Sequence, residues 1–183
     1  MAQHKLLGIC GALRRASTNR LLLNEAARIY GPAQFSEANL RLPLYDGDLE
    51  TGEGIPADVQ TLADQIAAAD AVLISSPEYN AAVSGVLKNA LDWVSRVKGN
   101  PWAGKPVAIM SAAAGRAGGA RGQYSLRLCL ATFQTRLLQG PEMMLAASGS
   151  AFDEAGQLVD ARSQKSLTNL VEALRAEVNL LAK

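Results

Sequence analysis

Short apolar runs alternate with helical stripes from one end of this chain to the other. Residues 5–10, 71–76, 106–111 and 143–147 are continuous runs rich in Leu, Ile, Val, Met and Ala. Strands that are apolar at successive positions fit a parallel sheet covered on both faces. A fifth run, 33–40, mixes polar and apolar residues and reads as an edge strand. Between the runs, apolar residues recur at helical spacing. Leu22, Leu23, Ala26, Ala27 and Tyr30 form one stripe, and Val59, Leu62, Ala63 and Ile66 a second. Leu87, Ala90, Leu91, Val94 and Val97 form a third, with Asp92 four residues before Arg96 on the solvent side. Leu126, Cys129, Leu130, Phe133 and Leu137 form a fourth, and Leu167, Leu170, Val171, Leu174, Val178 and Leu181 close the chain.

Five strands and five helices in alternation predict a doubly wound α/β fold: a three-layer sandwich whose five-stranded parallel sheet has order 2-1-3-4-5, with helices on both faces. Ligands in such sheets bind beyond the carboxyl ends of the strands, where strand order reverses; here that lies between the first and third strands. The loops after strands one, three and four then carry the chemistry. Residues 43–56 read as a structureless connection bordering the site. Its acids, Asp46, Asp48, Glu50 and Glu53, lack the spacing of a calcium loop, so no metal site is expected.

Composition narrows the function. With 49% apolar residues in 183, the chain is expected to form one domain over residues 1–183 with a sizeable core. A net charge of +1 and 5% aromatic residues give no footprint for nucleic acid or an acidic membrane surface. No apolar run approaches the roughly 18–20 residues needed to span a bilayer, so no membrane insertion is expected. There is no secretory pattern either, since Arg14 and Arg15 follow the first apolar run instead of preceding it. Two cysteines, Cys10 and Cys129, make no disulfide framework and read as two buried thiols in a reducing cytoplasm.

The first loop, Gly11-Ala12-Leu13-Arg14-Arg15-Ala16-Ser17-Thr18-Asn19, joins the first strand to the first helix. Backbone N–H groups at a helix N-terminus, short hydroxyl side chains and arginine together make an anion site. The loop carries neither Gly-Lys-Ser/Thr nor G-x-G-x-x-G, the signatures of loops that cradle diphosphates and triphosphates. Arg14, Ser17, Thr18 and Asn19 instead suit a terminal monophosphate, against the simpler reading of Ser17 or Thr18 as a helix cap beside solvated arginines. The third loop, Ser75-Ser76-Pro77-Glu78-Tyr79-Asn80, turns backbone N–H groups and an aromatic ring towards the crevice. Glu78 is more simply a turn or partner contact than a general acid. The fourth, Ser111-Ala112-Ala113-Ala114-Gly115-Arg116-Ala117-Gly118-Gly119, is small enough for a flat ligand to lie close to backbone donors. One monophosphate and two flat walls describe a mononucleotide with a planar ring, which FMN fits best. The lone histidine, His4, lies at the start of strand one, away from these loops.

Those residues also resemble the NAD(P)H-dependent FMN reductase family. Residues 11–19 are similar to its G-S-x-R-x-x-S-x-N phosphate loop. Ser76-Pro77-Glu78-Tyr79-Asn80, Gly85 to Trp93, Pro101 to Val107, Ser111 to Arg127 and Pro43-Leu44-Tyr45-Asp46 match its pattern in order. Within the family the chain looks closest to chromate- and quinone-reducing flavoproteins. The resemblance implies a flavodoxin-like fold, bound FMN, and self-association to a dimer or tetramer with an interface beside the flavin. By position, Arg14, Ser17 and Asn19 hold the phosphate, with Gly11, Leu13 and Thr18 beside them. Pro77, Glu78, Tyr79 and Asn80 line the ring, and Ser111, Ala112 and Gly115 meet its other edge. Arg15, Arg116 and Arg121 are candidates for a pyridine-nucleotide phosphate or an anionic acceptor. The family's usual serine is Ala12 here, which removes a hydroxyl whose bond to a charged group is worth roughly 1.5–3 kcal/mol.

The expected activity is a ping-pong transfer of electrons from NADPH or NADH to a small acceptor such as a quinone, free flavin, azo compound or chromate. No catalytic side chain is expected, because flavin N5 carries the chemistry. The alternative is a flavodoxin-type electron carrier without NAD(P)H oxidation, although such carriers have strongly acidic surfaces and this chain is nearly neutral.

Overall fold

The computed structural model describes residues 3–182. Its sheet is built from β1 (His4–Cys10), β2 (Ala33–Glu37), β3 (Ala71–Ser75) and β6 (Pro106–Ala112), completed by two short strands, β7 (Arg136–Leu137) and β8 (Met144–Leu145). The order is β2-β1-β3-β6-β7, all parallel, with β8 also pairing β6. The fold is therefore the anticipated flavodoxin-like sandwich, with its fifth strand position divided. β7 pairs with Pro106–Val107 and β8 with Ser111–Ala112. The run at 143–147 corresponds to β8. Gly140 and Pro141 lie in the gap, where proline has no N–H for a ladder.

Helices α1 (Thr18–Tyr30) and α6 (Ala161–Leu181) cover one face. Leu22, Leu23 and Tyr30 of α1 meet Leu167, Leu170 and Leu174 of α6 over Leu6, Leu73 and Met110 of the sheet. Helices α3 (Ala57–Ala68), α4 (Gly85–Val94) and α5 (Ala120–Leu130) cover the other. There Ile66, Leu91 and Leu126 pack over Leu7, Ile9, Val72, Ile74, Val107 and Ile109. Successive strand residues thus alternate between two apolar cores, as the pleat requires. This is why the central strands are apolar but for one serine each, Ser75 and Ser111: all of β3 and β6 is buried. β2, at the edge, is mostly exposed.

The structure differs from the sequence pattern at four places. The fourth stripe does not continue to Leu137: α5 ends at Leu130, a short turn spans Ala131–Phe133, Gln134 takes a left-handed backbone, and Leu137 enters β7. Residues 43–56 are not structureless, because they hold α2 (Gly47–Glu53), capped by Asp46. No residue of α2 is buried, so it has no apolar stripe to betray it. A hairpin of β4 (Glu78–Tyr79) and β5 (Ala82–Val83) follows β3. Its two central residues, Asn80 and Ala81, have φ of 50° and 63°, the sign that two-residue hairpin turns favour. Asp92 pairs with Lys88 on α4, while Arg96 reaches Glu50 of α2.

Candidate active site

The first loop is held from behind by two arginines that the sequence did not single out. Arg20 Nη1 donates to the carbonyls of Arg14 at 3.0 Å and Arg15 at 3.4 Å, and its Nη2 to that of Ala12 at 3.4 Å. Glu37, at the end of β2, accepts from Arg20 Nε at 2.8 Å and fixes the guanidinium. Arg41 Nη2 takes the carbonyl of Leu13 at 3.3 Å. Four successive carbonyls are thereby turned to one side. Among the described residues, the backbone N–H groups of Leu13, Arg14, Arg15, Ala16 and Thr18 have no protein acceptor. Unpaired N–H groups at the start of a 13-residue helix are the donor set that an anion site needs. The Arg14 side chain lies exposed beside them with no carboxylate partner among the described residues.

Other residues of this loop have structural tasks. Gly11 is buried, and its N–H donates to Ser75 O at 2.8 Å. Ser17 Oγ caps α1, accepting from the Asn19 N–H at 3.2 Å. Thr18 Oγ1 donates to Ser148 Oγ at 3.1 Å. Asn19 was expected at the phosphate, yet its side chain is turned inward and is 2% exposed. Its Nδ2 donates to Ala112 O at 2.8 Å, and its Oδ1 accepts from Ala112 N at 3.0 Å and Ser75 Oγ at 3.1 Å. Asn19 ties loop one to the ends of β3 and β6. Ala12 packs in the apolar cluster with Cys10 and Ala112, so the donors this loop presents outward are N–H groups.

After β3, Pro77 is buried while Tyr79 and Asn80 are exposed at the hairpin. The Glu78 carboxylate faces α5. It accepts from the N–H groups of Arg121 at 2.9 Å and Gly122 at 3.2 Å, and from Arg121 Nε at 2.9 Å. Gly119 stands at the cap position of α5 with no side chain, and Glu78 supplies the missing cap from another element. Burial pushes this carboxyl up, but the hydrogen bonds from Gly122 and Arg121 outweigh it and hold it below the ordinary glutamate value. A depressed acid contributes stability above its unfolded-state pKa and loses it as pH falls through the folded one. Replacing Glu78 with Gln is therefore expected to cost about 1 kcal/mol at neutral pH. Thermal melts of both proteins against pH should converge below about pH 4.3. A difference that persists unchanged at pH 3 would contradict this role.

In the fourth loop, Ser111 and Ala112, expected against the ring, are 0% and 2% exposed. Ser111 Oγ donates to Gly118 O at 2.6 Å and accepts from Gln123 Nε2 at 2.8 Å. Both backbone groups of Ala112 belong to Asn19. The exposed surface is instead 114–117, which includes Gly115 and Arg116. The N–H groups of Ala114, Gly115, Arg116 and Ala117 have no protein acceptor among the described residues. Arg121 is committed to Glu78.

The segment between β2 and α2 borders the same end. Pro43 O accepts from Trp93 Nε1 at 2.8 Å and Asn89 Nδ2 at 2.9 Å, and Asn89 Oδ1 accepts from Tyr45 N at 2.8 Å. Asn89 and Trp93 of α4 thus fix where Leu44 and Tyr45 lie. Two acids of this segment are also in use: Asp46 caps α2, and Glu50 bridges Arg96 and Tyr45. His4 Nδ1 lies 2.7 Å from Tyr30 Oη at the opposite end of the sheet. Of the two thiols read as buried, Cys10 is buried, which raises its pKa above the ordinary value, whereas Cys129 on α5 is only half-buried.

Residues 4–149 match the sequence profile of NADPH-dependent FMN reductases. The chain belongs to that family. An NAD(P)H-dependent FMN reductase of Pseudomonas aeruginosa is 42% identical over 97% of this chain and 96% of its own. A quinone reductase of Escherichia coli is 38% identical over 92% of each chain. Among solved structures, the flavoenzyme NAD(P)H:(acceptor) oxidoreductase FerB of Paracoccus denitrificans superposes with a TM-score of 0.87. It is 31% identical, and the match covers 96% of this chain and 97% of that one. The first loop, the β4–β5 hairpin and residues 114–117 follow the carboxyl ends of β1, β3 and β6, which are neighbours in the sheet.

Proposed function

We propose that this FMN reductase relative binds FMN at the three loops and passes electrons from NADPH or NADH to a quinone-type acceptor. The observation that carries the reading is the first loop: its carbonyls are drawn back by Arg20 and Arg41, and its N–H groups are left for a monophosphate. A dianionic phosphomonoester suits that donor set and the adjacent Arg14 guanidinium. The exposed N–H groups at 114–117 suit the polar edge of a flat ring, and small side chains there allow close approach. Bound there, FMN supplies the two-electron chemistry between pyridine nucleotide and acceptor. The chain's own residues position it: N–H groups and Arg14 hold the phosphate, while Pro77, Tyr79 and Asn80 form a wall beside the ring. No side-chain acid or base is assigned, since Glu78 is occupied as a helix cap.

Residues 1–183 are proposed to form one FMN-binding domain. Self-association to a dimer or tetramer is proposed through Tyr79 of β4 with Tyr124 and Leu128 of α5, which are 56%, 55% and 77% exposed. No helix among the described residues is long and apolar enough to cross a membrane. A cytoplasmic location is proposed from the two unpaired thiols.

The test is spectroscopic. The purified protein should take up FMN and turn yellow, and NADPH or NADH added without oxygen should bleach it until a quinone restores the colour. A protein that takes up no FMN would overturn the reading. A yellow protein that neither nucleotide bleaches would support the electron-carrier alternative. Arg14→Ala should weaken FMN binding by about tenfold, as loss of a charge-assisted hydrogen bond implies, measured by fluorescence titration.

A further inference from the structure

Behind the first loop, between it and the exit of β2, lies a second cleft of about 380 Å³ that the proposed FMN site does not use. Arg15, Arg20, Arg41 and Asn39 line it, and Glu37 is the one acid among its lining residues. Glu37 is neutralised by Arg20 at 2.8 Å. Arg15 and Arg41 have no carboxylate partner among the described residues. Arg41 spends one donor on Leu13 O and retains the rest of its guanidinium. The Asn39 Oδ1 accepts from the Arg41 N–H at 3.0 Å, which leaves its NH₂ group as a further donor. The cleft therefore carries two unneutralised positive charges and an amide donor, on a chain whose net charge is only +1. Two guanidiniums facing one cleft suit a compact dianion far better than a neutral hydroxyl.

Resting on the function proposed above, we infer that this cleft takes the 2′-phosphate of NADPH and that Arg15 and Arg41 make the protein prefer NADPH to NADH. The two nucleotides differ only there: NADPH carries a phosphomonoester, with a charge near −2 at neutral pH, where NADH carries a hydroxyl. The FMN phosphate has its own donors on the other side of the loop, in the N–H groups and Arg14. Placing the second phosphate against the carbonyl side of the same loop puts the adenosine end of the donor next to the flavin site without competing for it.

Two readouts test this. In calorimetric titration of the FMN-loaded protein, adenosine 2′-monophosphate should bind at least about tenfold more tightly than adenosine 5′-monophosphate or inorganic phosphate. Arg15→Ala and Arg41→Ala should each remove that difference. In steady-state assays, the ratio of kcat/KM for NADPH to that for NADH should fall at least about tenfold in each variant. Equal binding of the two adenosine phosphates, or a ratio that stays within about twofold in both variants, would overturn the inference. So would a parallel fall for both nucleotides accompanied by FMN loss, which would make the arginines supports of the first loop alone. If the protein held no FMN and oxidised neither nucleotide, the proposed function would fail. Calorimetry of the FMN-free protein with the two adenosine monophosphates would still report on the cleft in that case.

Discussion

Asn19→Ala is expected to be the most damaging single change at the site, lowering stability by about 3–5 kcal/mol. The side chain is 2% exposed and satisfies three groups at once: Ala112 N, Ala112 O and Ser75 Oγ. Alanine leaves each of them without its partner in a region where Ser75 is 0% and Ala112 2% exposed. A buried polar group stranded in this way costs roughly 1–3 kcal/mol. Because the same amide fastens loop one to the ends of β3 and β6, FMN retention should fall together with stability. Urea unfolding of the FMN-free protein gives the first quantity and fluorescence titration the second. A loss under about 1 kcal/mol would mean that the amide tie does not hold these loops.

Gly118→Ala ranks next, with an expected loss of about 3 kcal/mol. Gly118 has φ of +58°, and a Cβ there would lie 2.6 Å from both the carbonyl carbon and the oxygen of Met144. That obstacle is the backbone of β8, which pairs with the end of β6, so it yields only by moving the strand. For a chain of this size the cost corresponds to about 6–12 °C in Tm. Gly115→Ala is the control, since a Cβ there meets nothing within 4 Å. It should leave Tm within about 2 °C. Equal melting of the two variants would show that loop four shifts freely and is not held against β8.

Both changes act on scaffold residues, and that explains why parts of the site were hard to read. The first loop advertised itself through residue type, because Gly, Arg, Ser, Thr and Asn at a strand-to-helix junction have few other uses. Which of them face outward could not be told from type. Asn19 and Ser111 have the right chemistry for a ligand, but their donors and acceptors are consumed inside the fold. Glu78 likewise serves α5, because Gly119 offers that helix no cap. Arg20 and Arg41 gave no signal, since an arginine in a helix or an exposed loop is ordinary until its partner carbonyls are seen.

The sequence by itself determined the architecture. Continuous apolar runs between amphipathic stripes leave a doubly wound parallel sheet as the natural way to bury both faces of each central strand, and that sheet places loops one, three and four at one end. It also determined the family, through the ordered motifs at 11–19, 76–80, 85–93 and 111–127. Tertiary structure decided the rest: the divided fifth strand, the unburied α2, and above all the division of polar residues between scaffold and site. The reason is physical. Hydrophobic periodicity is local and survives in the sequence, whereas a hydrogen bond between residues 19 and 112, or 20 and 37, exists only once β1, β2, β3 and β6 lie side by side.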